Sequence, residues 1–290
     1  MDYSKLTSPR VVKALMREYE IRFKKRFGQN FLVDGNILSK IIASAELRAD
    51  QYAVEIGTGL GTLTHALAQE CRKVITFEID HDLVQIFREN SSSENIHLIA
   101  GDALQYDWHQ VLVEHSWQGE RVSLVANLPY YLTSPLIMKA LECGVGFDPI
   151  VVMVQREVAD RIQAQPGTKD YGLLTLMVEY YADVEVVAKV PRTVFLPAPE
   201  VDSAVIKLIP RAPTVAVDRE ALFAVIKASF AQRRKTLKNN LKALTEQWGV
   251  TASSFERILA ELGLPEGVRG EALSLAQFAE LTRRLITEHQ

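Results

Sequence analysis

Tyr52-Ala53-Val54-Glu55-Ile56-Gly57-Thr58-Gly59-Leu60-Gly61 is the stretch on which the fold turns. An apolar run suited to a strand ends in closely spaced glycines, and an amphipathic segment at 63–69 follows. Glycines at that junction let the backbone turn tightly and approach a nucleoside closely, with a helix amino terminus facing it. The same alternation continues outward. Apolar runs at 73–78, 96–100, 122–126 and 150–154 are separated by helical periodicity at 83–90 and 135–141. Short β-rich runs joined by helices predict a parallel sheet covered on both faces, so the chain up to about residue 161 is of the α/β class.

Toward the start, Ser8-Pro9 followed by Val11, Val12, Leu15 and Met16 has the form of an N-cap, a first-turn proline and an apolar stripe, which predicts a short helix. Later, Val/Ile-rich runs at 184–190 and 204–209 flank Phe195-Leu196-Pro197-Ala198-Pro199 and predict an antiparallel pair closing the sheet. Pro210-Arg211-Ala212-Pro213 reads as a linker. Beyond Asp218 the pattern is helical throughout, with Leu222, Val225, Ile226 and Phe230 at helix spacing and Phe255, Ile258, Leu259 and Leu262 later. The expected organisation is a Rossmann-like sheet, mostly parallel with one antiparallel strand, over 1–212, and a small all-helical domain over 213–290.

With 290 residues, 48% of them hydrophobic and 24% charged, the composition is that of an ordinary globular protein. The net charge of −3 argues against coating nucleic acid by bulk electrostatics. Two segments are nonetheless locally basic: Arg22, Lys24, Lys25 and Arg26, and Arg233, Arg234, Lys235, Lys238 and Lys242. On their own such runs fit solvated helix faces as well as phosphate contacts. Cys71 and Cys143 offer neither a disulfide framework nor a zinc spacing, so no metal is expected, and both are expected to be small buried apolar residues. The amino terminus lacks the apolar stretch of a signal peptide and no run approaches membrane-spanning length. A cytoplasmic, monomeric protein without membrane contact is the expectation.

The glycine turn gains weight from two acids. Glu78 ends the next strand, about twenty residues on, where a carboxylate can accept hydrogen bonds from both hydroxyls of a ribose. Asp102 follows the next apolar run, placed to accept from an adenine amino group. With Gly57 and Gly59, these positions at successive strand ends form one crevice, the place where open α/β sheets bind ligands. Dinucleotide dehydrogenases share the layout. The spacing here is Glu-x-Gly-x-Gly-x-Gly rather than Gly-x-Gly-x-x-Gly, and it resembles the first motif of class I methyltransferases, which implies S-adenosylmethionine as the cofactor.

The fourth strand runs into Asn127-Leu128-Pro129-Tyr130. The exocyclic amine of adenine is a poor nucleophile because its lone pair is delocalised into the ring. Two acceptors aimed at the amine hydrogens, the Asn127 side-chain oxygen and the Leu128 carbonyl, would draw the nitrogen toward tetrahedral geometry and stabilise charge that develops only during transfer. Pro129 holds Leu128 extended and its carbonyl directed. Tyr130 offers a ring face for a base lifted from its stack. No general base is required, since the product cation loses its proton readily to water.

Taken together the sequence resembles the bacterial 16S ribosomal RNA adenine N6,N6-dimethyltransferase family over nearly its whole length. Lys25-Arg26-Phe27-Gly28-Gln29-Asn30-Phe31-Leu32-Val33-Asp34 is similar to the family's amino-terminal signature, which implies cofactor contacts from Gln29, Asn30 and Leu32. The resemblance carries Gly57, Glu78, Asp102, Ala103 and Asn127 onto other cofactor positions. It places Phe195, in Phe195-Leu196-Pro197-Ala198-Pro199-Glu200-Val201-Asp202-Ser203-Ala204-Val205, against the target base opposite Tyr130. Gln232-Arg233-Arg234-Lys235-Thr236-Leu237 and Arg269-Gly270-Glu271-Ala272-Leu273-Ser274 match its helical-domain motifs, although Gly270 stands where a larger residue is common and 108–119 reads as a slightly long loop. The family implies dimethylation of two adjacent adenosines near the 3′ end of 16S rRNA, in the small ribosomal subunit or its precursor, and a late role in assembly. It also makes Lys24, Lys25, Arg26, Arg233, Arg234, Lys235 and Lys238 candidate RNA contacts. Competing readings are a 23S rRNA adenine methyltransferase conferring macrolide resistance, a mainly non-catalytic assembly checkpoint factor, and a DNA adenine methyltransferase.

Overall fold

The computed structural model describes residues 5–21, 23–24 and 27–289. Arg22, Lys25 and Arg26 lie outside the described residues. Nine strands are present among them: β1 (Phe31–Leu32), β2 (Tyr52–Ile56), β3 (Lys73–Glu78), β4 (Ile96–Ala100), β5 (Val122–Asn127), β6 (Ile150–Gln155), β7 (Ala182–Val190), β8 (Phe195–Leu196) and β9 (Ser203–Pro210). Seven of them form one sheet in the order β4-β3-β2-β5-β6-β9-β7. β2, β3, β4, β5 and β6 pair in parallel with their neighbours, and β9 runs antiparallel to β6 with Ile150 opposite Leu208. All five residues of β2 are buried, as a strand covered on both faces requires, while edge strand β4 is only half-buried along its length.

The strand order reverses between β3 and β5 on either side of β2, which puts the topological switch point at the carboxyl end of β2. Helices Thr62–Glu70, His81–Asn90 and Thr133–Glu142 follow β2, β3 and β5. The short opening helix is Pro9–Glu18, with Val12 and Leu15 buried; Ser8 has the extended backbone of an N-cap but makes no side-chain capping bond. Segment 108–119 is not simply a loop. Trp108–Glu114 is helical, capped by Asp107, with Trp108 buried and its indole N–H donating to the Ala103 carbonyl at 2.7 Å.

The chain divides into two compact units, one made of residues 1–159 and 183–210 and the other of 160–182 and 211–290. The boundary expected at 212/213 is thus corrected, because residues 160–182 pack with the helices. Tyr171, Leu176 and Tyr180 belong to the same core as Leu222, Val225, Leu237 and Phe278, and the Tyr171 hydroxyl donates to the Leu273 carbonyl at 2.8 Å. That core also explains Gly270: a side chain there would start 3.0 Å from the Ser229 carbonyl oxygen. Of the two cysteines Cys71 is buried, but Cys143 is only half-buried, against expectation.

Candidate active site

The turn after β2 carries Gly57, Gly59 and Gly61 at φ of +87°, +57° and +87°, values that favour glycine. At Gly61 a side chain would also begin 2.7 Å from the Phe87 ring. The Gly57 N–H donates to the Phe77 carbonyl at 2.8 Å, which fastens the turn to the end of β3. There Glu78 is buried, and its two carboxylate oxygens accept from the Gly59 N–H at 2.8 Å and the Asp80 N–H at 2.9 Å. These bonds set the carboxylate's orientation and leave further lone pairs for hydroxyl donors. Burial pushes the Glu78 carboxyl above its ordinary value, partly countered by those N–H groups.

Beneath the turn lies Glu55, 1% exposed. One of its oxygens accepts from Thr64 and Thr76 hydroxyls, each at 2.6 Å, while the other has no partner among the described residues. Burial outweighs the two hydrogen bonds and raises this carboxyl to about 8, so it holds a proton at neutral pH.

Asp102 caps the short turn Ala103–Gln105, accepting from the Leu104 N–H at 2.9 Å. Lys139, on helix Thr133–Glu142, holds that turn from the other side by donating to the Leu104 and Tyr106 carbonyls at 2.7 and 2.6 Å. Sequence patterning gave no hint of Lys139, whose partners are backbone oxygens 35 and 33 residues away.

At the end of β5 the Asn127 side-chain N–H donates to the Asn30 carbonyl at 3.1 Å. A carbonyl can only accept, so the amide is fixed with Nδ2 toward Asn30 and its Oδ1 remains the acceptor. The Leu128 N–H donates to the Met153 carbonyl at 3.1 Å, and Pro129 leads into the turn Tyr130–Leu132. The Tyr130 hydroxyl shares a 2.8 Å hydrogen bond with the buried Ser203; burial raises the phenol above its ordinary value, and Ser203 opposes the shift.

Over this floor runs 27–32, with β1 paired antiparallel to β8. Asn30 donates to the Gly28 carbonyl at 2.9 Å, and Gln29 donates to Asp80 at 2.6 Å and accepts from the Lys24 N–H at 2.8 Å. Gln29, Asn30, Leu32, Gly57, Gly59, Glu78, Asp102, Ala103, Asn127, Leu128, Pro129 and Tyr130 all line one cleft. Tyr131, which sequence reasoning passed over, lines it too and is 52% exposed. Among the described residues no lysine, arginine or histidine lines it. Two of its carboxyls, Glu78 and Asp102, are placed to accept hydrogen bonds from the hydroxyl and amino groups of a nucleoside.

Phe195 is not brought to this cleft. It is 3% exposed and packs among Leu32, Val190 and Val205, because β8 turns its ring into the sheet core. The basic candidates also sort differently from expectation. Lys24 is ion-paired with Asp80 at 2.5 Å and Asp82 at 2.6 Å, which takes up the charge meant for a phosphate. In the helical unit Arg233 donates to Glu271 at 3.3 Å and to the Lys169 carbonyl, and Lys238 pairs with Glu256. Arg234 and Lys235 are exposed, with no ion pair among the described residues.

The sequence profile described as "Ribosomal RNA adenine dimethylase" matches residues 20–280. A protein of Geobacillus kaustophilus named ribosomal RNA small subunit methyltransferase A is 46% identical, over 98% of each chain. One of Bacillus mycoides with the same name is 45% identical over 97% of each. Among solved structures, a dimethyladenosine transferase from Plasmodium falciparum superposes with a TM-score of 0.71 at 27% identity, covering 86% of this chain and 95% of that one. The 23S rRNA methyltransferase ErmE gives 0.64 at 28% identity, covering 88% and 99%. With acids at the strand ends, an oriented Asn127 amide and a match over nearly its full length, the chain belongs to the ribosomal RNA adenine dimethylase family of methyltransferases.

Proposed function

We propose that this protein transfers methyl groups from S-adenosylmethionine to the N6 amines of two adjacent adenosines near the 3′ end of 16S rRNA, giving N6,N6-dimethyladenosines in the small ribosomal subunit or its precursor. The observation that carries the reading is the Asn127 amide, locked by the Asn30 carbonyl so that an acceptor remains beside the acid-lined cleft. The fit of the cofactor rests on the donor set. Glu78 has lone pairs for two ribose hydroxyls, and Asp102 and Ala103 form a turn suited to an adenine edge. The bound cofactor supplies an electrophilic methyl group.

The chain's own residues do the rest. Asn127 Oδ1 and the Leu128 carbonyl accept hydrogen bonds from the N6 hydrogens, two in the first transfer and the one that remains in the second; they orient the nitrogen and stabilise the positive charge that grows on it, and the product cation then loses its proton to water. Tyr130, held by Ser203, offers a fixed ring face to the target base. Orientation and exclusion of water supply most of the rate gain. Arg234 and Lys235 contact RNA phosphates, consistent with their exposure and lack of acidic partners among the described residues. The small-subunit substrate is favoured over 23S rRNA by relatives 45% and 46% identical that carry the small-subunit name, against 28% for the 23S enzyme.

The test is to incubate the purified protein with labelled S-adenosylmethionine and small subunits from a strain lacking this modification, then map the labelled nucleosides. Label in adjacent N6,N6-dimethyladenosines near the 3′ end of 16S rRNA is the expected result. Label on 23S rRNA or duplex DNA instead, or on nothing, overturns it.

A further inference from the structure

One buried carboxylate beside the cleft has no part in the chemistry above. Asp80 is 2% exposed and begins helix His81–Asn90, accepting from the Asp82 N–H at 3.1 Å. A helix cap needs no such burial, and Asp80 does more than cap. Its Oδ1 takes the Lys24 ammonium at 2.5 Å and its Oδ2 takes the Gln29 amide at 2.6 Å. Gln29 in turn accepts from the Lys24 N–H at 2.8 Å, closing a ring of bonds. Meanwhile the Asp80 N–H donates to Glu78 Oε1 at 2.9 Å.

We propose that Asp80 is a positioning residue for cofactor retention: its carboxylate clasps the strap 27–32 over the cleft, and its N–H aims the ribose-binding carboxylate of Glu78. The strap supplies Asn30 and Leu32 to the cleft lining, and Asn30 in turn orients Asn127. Lifting the strap to release a ligand breaks charge-assisted hydrogen bonds that a desolvated carboxylate cannot easily replace with water. The titration state agrees: burial acts to raise the Asp80 carboxyl, but the Lys24 and Gln29 hydrogen bonds outweigh it, and the net shift is downward. The same pairing raises the Lys24 ammonium. Lys24 therefore serves the strap rather than an RNA phosphate.

The inference rests on S-adenosylmethionine being the ligand of this cleft, and the experiment separates the two. Wild type, Lys24→Met, Lys24→Arg and Asp80→Asn are compared for S-adenosylmethionine off-rate, its KM, the RNA KM and kcat at saturating cofactor. Lys24→Met and Asp80→Asn are expected to raise cofactor KM and off-rate about tenfold, the effect of losing one charge-assisted bond. The fall in kcat at saturation should be much smaller, and Lys24→Arg should restore most of the retention. The double variant Lys24→Met/Asp80→Asn should be no worse than the poorer single, because both break one interaction. A merely structural role would lower thermal stability and kcat without splitting KM from kcat, and that outcome overturns the proposal. So does an unchanged off-rate in Lys24→Met, or a rise confined to the RNA KM. Failure of the wild type itself to bind S-adenosylmethionine would instead remove the cofactor reading on which the proposal stands.

Discussion

The cleft and the basic turn 232–235 both carry charge, but they hold it in opposite ways. In the cleft, Glu78 and Asp102 are tied to backbone N–H groups before any ligand arrives. In the turn, Arg234 and Lys235 project from an exposed loop whose Gln232 carbonyl is tied down by Asn240 at 3.0 Å. The first region is built for a fixed geometry around one small ligand, with orientation set in advance. On the proposed function, the second meets a polyanion, whose phosphates are held through long-range charge with little demand on side-chain placement. On that proposal catalytic precision resides in the cleft, and substitutions there should cost far more than those in the turn.

The largest effect is expected at Asn127. Asn127→Ala removes an acceptor that acts mainly in the transition state, so single-turnover methyl transfer should fall by about 10²–10³-fold, with a much smaller change in cofactor affinity. Transfer at a normal rate would remove Asn127 from the chemistry. Next comes Glu78→Ala, expected to raise the S-adenosylmethionine dissociation constant by about 10–100-fold, the weight of one or two hydrogen bonds to a charged group. RNA binding should not move. Equal cofactor affinity in calorimetry would break the contrast between a pre-set cleft and an adaptable turn.

How much of the molecule is legible in its sequence follows the same division. The starts and ends of β2 and β3 coincide with the apolar runs, because buried parallel strands need continuous hydrophobic residues and their limits are marked by polar or glycine residues. Gly57, Glu78, Asp102 and Asn127 are legible because strand ends fix their direction irrespective of distant neighbours. Phe195 is not, since whether its ring faces base or core depends on β1 pairing with β8, two residues each and too short for any periodicity to reveal. Lys24 and Lys238 have the character of phosphate ligands until Asp80 and Glu256, 56 and 18 residues distant in sequence, are found paired with them. Residues 160–182 change units for a like reason: only folding shows that Tyr171 and Leu176 share a core with Phe278. Backbone-directed features are local in sequence and charge pairing is not.

Glu55 offers a third way to sharpen the contrast, through pH. In the fold its carboxyl keeps a proton up to about pH 8, whereas in the unfolded chain it ionises near the ordinary value of 4.5. Between those limits the folded state binds more protons than the unfolded one, so stability falls as pH rises through this window, and the penalty is fully present above it. The slope from one group is at most about 1.4 kcal/mol per pH unit. Denaturant unfolding without cofactor at several pH values should show Glu55→Gln lacking that component, while any contribution from Glu78 remains in both proteins. Identical slopes would mean that Glu55 is ionised in the fold.

The smallest effect belongs to the turn. Replacing Arg234 and Lys235 together by alanine removes two exposed cations that carry no ion pair among the described residues, so neither folding nor cofactor binding should change measurably. What should change is the dependence of RNA affinity on salt. Each phosphate that is no longer neutralised lowers the magnitude of the slope of log K against log salt by about 0.7–0.9, so the double variant should flatten it by about 1.4–1.8 and weaken binding most at low salt. Arg233→Ala alone should give a smaller flattening, because Glu271 already takes part of its charge. A slope unaltered by the double substitution would make the turn a solvated surface, and the polyanion-binding side of the contrast would have to be sought elsewhere in the protein.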